Sequence, residues 1–240
     1  MLFDLKGKRR RAVQGTYLTL AILMGAGLVL FGIGSSVNGG LGDLFSGGGG
    51  SNQGDKVVND RIKTAEKQLQ ANPKNVAALG AVIRGHYQLA TANADPNTGQ
   101  FSSDAKDDLQ QAATAWQRYV ATNPEKTDIG LARVMVQAYS GLAQLTTNDQ
   151  PAVQRYWTGA ANATELIAAA QPNPANYVAL VQYATLAGQT NKADLAGKKA
   201  VAIAPKGQRK AVQQQVTQAK AASTSQAGGG GAAAPSGTAP

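Results

Sequence analysis

The sequence predicts an all-α protein of about eight helices, arranged as repeating helical hairpins behind one transmembrane helix. Three observations carry that prediction. Apolar residues recur at helical spacing through the body of the chain, and no segment alternates with period 2. Prolines recur where helical stretches end, at Pro73, Pro124, Pro174 and Pro205, with spacings of 51, 50 and 31 residues. Near the N-terminus, the 23 residues 12–34 carry no charge.

Residues 1–11 form a basic segment in which Lys6, Lys8, Arg9, Arg10 and Arg11 outweigh Asp4. The uncharged run 12–34 follows, reaching about 34 Å as a helix, enough to cross a hydrocarbon core of about 30 Å. Its glycines are tolerable in lipid, which enforces backbone hydrogen bonding. No positive residue follows until Lys56. The positive-inside rule therefore predicts a single-pass membrane protein, with residues 1–11 cytoplasmic and everything after residue 34 extracytoplasmic. A cleaved signal peptide shares the charge-then-apolar order, but the run is long and has no A-x-A site.

Residues 35–54 hold 8 glycines in 20 positions and read as a flexible linker spanning on the order of 25 Å. Residues 224–240 are rich in Gly, Ala, Ser and Pro and read as a disordered, low-complexity tail. Between them, residues 55–223 form the folded part. Val58, Ile62, Ala65 and Leu69 recur at i, i+4, i+7 and i+11. Ala112, Trp116, Tyr119 and Val120 repeat the pattern, as do Val153, Trp157, Ala160, Ala161 and Ile167. Each proline marks a corner, since proline cannot continue a helix but fits the first turn of the next. Each interval holds two amphipathic helices, and such a unit must stack on neighbours to bury its apolar face.

Residues 176–205 resemble a tetratricopeptide repeat. Tyr177 stands at the family's large aromatic position, Leu180 at the next core position and Gly188 at the inter-helix turn. Ala193 and Ala200 match the small residues of the second helix, and Pro205 the closing proline. Val181, Ala184 and Gly197 depart from the pattern. The preceding units are more divergent: Ala112, Trp116 and Pro124 match in one, which carries an insertion at residues 91–103, and the other has an overlong second helix. The resemblance implies a stack of helical hairpins with a leading helix and a terminal helix near residues 206–222. It is specific for fold and unspecific for function.

Composition narrows the chemistry. The absence of cysteine excludes disulfides, thiolate metal sites and a cysteine nucleophile. One histidine, His86, excludes multi-histidine metal sites. It lies on the first helix of its unit, where the resemblance implies packing between helices, and no base-catalysis partner is adjacent in sequence. Asp107 and Asp108 are neighbours, so on a helix they diverge by about 100° and serve the helix start instead of forming an acid/base pair. The run ending at Asp55 fails the phosphate-loop pattern. Asp95, Asn97, Gly99 and Asp104 hint at an oxygen-rich loop, but Gln100 and Lys106 stand where a calcium loop needs glycine and glutamate, so a plain turn is the better reading. No catalytic residue, metal ligand or cofactor is expected.

The net charge of +9 sits at the ends of the chain, since residues 55–191 hold 11 basic and 11 acidic residues. That distribution does not favour nucleic acid, which wants a basic face across a folded domain. The resemblance instead implies a concave groove along the first helices, at Arg84 and Tyr87, then Val136 and Tyr139, with the register there open by one residue, then Val178, Gln182 and Thr185. With one arginine and mostly tyrosine or aliphatic residues, it does not suit the carboxylate-clamp mode of that family. Tyrosine offers apolar area with a polar tip, which suits a protein or peptide segment; the equal alternative is that Tyr87 and Tyr139 simply pack between helices.

The expected function is therefore a membrane-anchored, extracytoplasmic protein-protein interaction module, a scaffold or assembly or chaperone-type factor at the bacterial cell envelope, and not an enzyme. The architecture is similar to that of translocon-associated and envelope-assembly proteins with one N-terminal helix and an outer repeat domain. The alternative is a lipid- or envelope-polymer-binding module using the basic terminal helix, with Lys206, Arg209, Lys210 and Lys220.

Overall fold

The computed structural model describes residues 51–95, 97–146 and 148–228. The basic segment 1–11, the uncharged run 12–34 and nearly all of the glycine-rich segment lie outside them, as does most of the tail. Among the described residues no helix is long and apolar enough to cross a membrane. They form eight α-helices and no strand: α1 (Ser51–Ala71), α2 (Val76–Ala92), α3 (Lys106–Ala121), α4 (Ile129–Leu145), α5 (Gln150–Ala170), α6 (Pro174–Leu186), α7 (Thr190–Ile203) and α8 (Arg209–Gly228). Short 3₁₀ turns at Ser103–Ala105 and Lys206–Gln208 lead into α3 and α8.

Consecutive helices pack as hairpins, α2 with α3, α4 with α5 and α6 with α7. Each hairpin then meets the next: α4 packs against both α2 and α3, α6 packs against α5, and α8 packs against both α6 and α7. One apolar cluster is built around Leu79, Ile83, Leu109, Leu131, Met135 and Leu142. A second, around Tyr177, Leu180, Val181, Val212 and Val216, joins α6, α7 and α8.

Helix starts are set by capping side chains more than by proline. Asn75, Asp128, Asp149 and Asn173 each accept a hydrogen bond from the backbone N–H three residues on. Only at α6 does the corner proline, Pro174, occupy the first turn directly. After Pro73 and Pro124 the helix waits for Asn75 and Asp128, because the cap, not the fixed proline φ, satisfies the orphan N–H groups. At the other end, α3 closes with Asn123 at φ 48°, and α6 turns into α7 through Gly188 at φ 69°.

Helical spacing matches burial with two exceptions, Val120 and the half-buried Val153. Val58, Ile62, Ala65 and Leu69 are all buried, as are Ala112, Trp116 and Tyr119. Val120, expected with them, is 41% exposed. It lies four residues after Trp116, about 40° further round the helix, where it lines a surface cleft. The first and last helices extend past residues 55 and 223. α1 takes in residues 51–54, since the first turn needs no intrahelical partner for its N–H groups. α8 continues to Gly228, through Ala, Ser and Gln residues that tolerate helix well.

Candidate functional site

The insertion between α2 and α3 is a built structure. Ala94 and Phe101 pair as an isolated antiparallel bridge. Asp95 organises the loop between them: its Oδ1 accepts from the N–H groups of Asn97 and Thr98, each at 2.8 Å, and its carbonyl accepts from Gly99 at 2.7 Å. Those bonds, led by the one from Thr98, hold the carboxyl below its ordinary value. The loop delivers Phe101 onto α4, where its ring covers Gly141 so closely that a Cβ there would overlap it. On its other side Phe101 meets Tyr87 edge-on, with ring centroids 6.1 Å apart.

His86 is not the partnerless side chain the sequence suggested. Its Nδ1 lies 2.8 Å from Asp108 Oδ1, joining α2 to the first turn of α3, with both side chains largely covered. Asp108 therefore does more than complement the start of a helix. The two residues are 22 apart in sequence, so no local spacing announces the pair.

The expected groove positions fall on the first helices of the three hairpins, with differing surroundings. Arg84 forms an ion pair with Asp128, the cap of α4, and both are about two-fifths exposed. The N–H of Asp128 also donates to Tyr119 Oη at 2.9 Å, so one acidic residue ties α2, α3 and α4. Tyr87 donates its hydroxyl to Gln137 on α4, and burial raises its pKa. Val136 is half-buried. Val178 packs at the edge of the second cluster, and Thr185 donates to the carbonyl of Val181 at 2.8 Å. Gln182 is exposed at its side chain, while its carbonyl accepts from Ser223 of α8 at 3.3 Å.

Tyr139 departs from this row. It is buried, its ring lies against Gly159 of α5, and burial pushes its phenol up to about 12, with a hydrogen bond from Gln117 opposing and Tyr156 adding to the rise. The residue of α4 that meets Tyr87 is Gln137, one position after Val136.

Tyr139 instead lines a cleft of about 810 Å³ between α3 and α5. Gln110, Gln117 and Thr114 come from one wall and Gln154, Tyr156 and Asn162 from the other. Arg155 is the one charged residue among those lining it. The periodicity gave no sign of this cleft: it counted Val120 with the buried stripe, and Val120 lines the cleft. A smaller hollow of about 410 Å³ lies among α5, α6 and α7, lined by Glu165, Tyr177, Leu180, Lys192, Leu195 and Lys199. Among the described residues no group of three or more His, Cys, Asp or Glu side chains is placed to hold a metal ion.

The four basic residues expected on the terminal helix differ in their partners. Arg209 donates to the carbonyls of Ala202 and Ala204, both at 3.3 Å, and so closes the end of α7. Lys220 pairs with Asp194 of α7, whose carboxyl is lowered by that hydrogen bond, by the charge of Lys220 and by Lys198. Lys206 and Lys210 are exposed.

The described chain is thus an all-helical protein of successive hairpins, with a row of half-exposed side chains on its first helices and an amide-lined cleft between two of its second helices. Comparison with protein-family models, curated proteins and solved structures finds no match.

Proposed function

We propose that the protein is a membrane-anchored, extracytoplasmic helical-repeat module of tetratricopeptide type that binds segments of other proteins and performs no chemistry of its own. The observation that carries this reading is the order of helix contacts: α4 and α6 each pack on their own second helix and also on the hairpin before, α4 against α2 and α3 and α6 against α5. That is the connectivity a repeat of two helices needs to bury a face it cannot cover alone. Within it Tyr177, Leu180, Ala193 and Ala200 are buried and Gly188 takes a positive φ at the turn, the roles that a tetratricopeptide unit assigns them. Anchoring rests on the uncharged run 12–34 and the basic residues before it.

In this reading the partner lies along α2, α4 and α6, where Tyr87, Gln137, Val178 and Gln182 offer apolar area and neutral hydrogen-bonding groups with little fixed charge. Site-specific photocrosslinking of the full chain in cells tests it. Probes at Gln137 and Gln182 should give the same discrete protein adducts, while a probe at Lys63 on the exposed side of α1 should give none. Adducts from Lys63 alone, or from no position, would contradict the assignment.

A further inference from the structure

The outer face of α7 carries a stripe with its own chemistry. Leu195, Lys198, Lys199, Ala202 and Ile203 follow i, i+3, i+4, i+7 and i+8, the spacing of one helix face. Leu195 is 67% exposed, the most exposed large apolar side chain among the described residues, and Ile203 is 39% exposed. Lys198 and Lys199 are exposed beside them, and Lys206 and Lys210 continue the positive charge beyond the end of the helix. The inner face of the same helix is all small residues, Ala193, Ala196, Gly197 and Ala200, with Gly197 closely approached by Val216 of α8.

A single exposed leucine is ordinary on a protein surface. Two large aliphatic side chains in one stripe whose only charges are lysines are less so. The nearby acids are occupied: Glu165 pairs with Lys192 at 2.6 Å, and Asp194 with Lys220. Lys199 also lies over the Tyr177 ring, 5.2 Å from its centroid, which steadies the root of the stripe.

We propose that this face of α7, with Lys206 and Lys210, rests on an anionic lipid surface, with Leu195 and Ile203 entering the headgroup boundary and the lysines meeting lipid phosphates. The charge is complementary and the apolar tips are short, as an interfacial contact requires. The stripe runs along one helix beside the hollow that Leu195 and Lys199 help to line, and its lysines are point charges on flexible stems that impose no directional geometry. A deformable bilayer matches that better than a rigid acidic partner. The proposal rests on the anchored reading for its proximity, since residues 35–50 would hold the domain within a linker's reach of the bilayer.

The chain has no cysteine, so Leu195→Cys gives a unique site for an environment-sensitive fluorophore. The labelled full chain is floated with vesicles of phosphatidylcholine, alone or mixed with phosphatidylglycerol. Flotation on both, with a blue shift only on the anionic vesicles, is the expected result. High salt should reverse the shift, and the combined Lys198→Gln, Lys199→Gln and Lys206→Gln variant should weaken it about tenfold with an unchanged helical spectrum.

Flotation on both without a shift overturns the lipid contact and leaves the anchor standing. Flotation on anionic vesicles alone, lost in the triple variant, upholds the contact and removes the anchor. No flotation on either removes both. An equal shift from polyglutamate added with neutral vesicles would assign the face to acidic polymer and overturn the lipid proposal.

Discussion

His86 on α2 and Asp108 on α3 meet at 2.8 Å through Nδ1 and Oδ1, across an insertion that separates their helices. With Asp108 ionised, the imidazole Nδ1–H donates to it. The pair links the two helices of the first hairpin directly. Alanine at either position should lower stability by about 1–2 kcal/mol, and the double variant should cost less than the sum of the two by about 1 kcal/mol. Urea unfolding of the four proteins measures this; strict additivity would mean that the bond contributes nothing.

Phe101 and Gly141 form a lock of the opposite kind, made of shape alone. A methyl group at Gly141 would overlap the ring, so Gly141→Ala should destabilise by about 1–3 kcal/mol despite the better helix propensity of alanine. Adding Phe101→Ala should then cost less than it does in the native background, because the overlap is gone. Thermal unfolding of the single and double variants reports the compensation.

Tyr139 gives the protein an alkaline signature. Its phenol is pushed up to about 12 by burial, above the ordinary value of 10.0. An acid with a raised folded pKa keeps its proton when the unfolded chain has lost it. Stability therefore declines as pH rises from about 10 toward 12. Tyr139→Phe should flatten that decline and remove the latest step from the tyrosinate absorbance titration. An unchanged titration would place the buried phenol elsewhere.

Asp95 contributes at the acid end. Its folded carboxyl lies below its ordinary value of 3.8, held there by backbone N–H groups. The sign is that of a depressed acid: the contribution is present above the unfolded pKa and fades as pH falls through the folded one. The stability difference between the native protein and Asp95→Asn should therefore shrink on acidification below about pH 4. A difference independent of pH would show that the loop is held by neutral hydrogen bonding alone.

What the sequence revealed and what it concealed divide by range. Helical spacing identified Ile62, Leu69, Trp116 and Tyr119 as interior, because burial along a helix repeats every 3.6 residues. The tetratricopeptide resemblance placed Gly188 at the inter-helix turn, and there it takes a left-handed φ of 69°. The contacts that define the candidate site join distant positions: Arg84 with Asp128, Tyr87 with Gln137, His86 with Asp108, and Phe101 with Gly141. None of these leaves a periodic trace. Gly197, a departure from the tetratricopeptide pattern, acquires its reason only from Val216 of α8, which would collide with any larger residue there. The basic residues near the end of the chain were visible as charge, yet only their partners separate Arg209 and Lys220, which bind α7, from Lys206 and Lys210, which face solvent.

The central claim is that a hairpin-repeat domain is held outside the cell membrane by residues 12–34. Protease treatment of intact cells expressing the full chain with a tag after Pro240 tests it most directly. The account predicts a tag cleaved from outside, on a protein that stays with the membrane at its full apparent mass before digestion. A tag protected until the cells are lysed would place the helical domain in the cytoplasm and contradict the account.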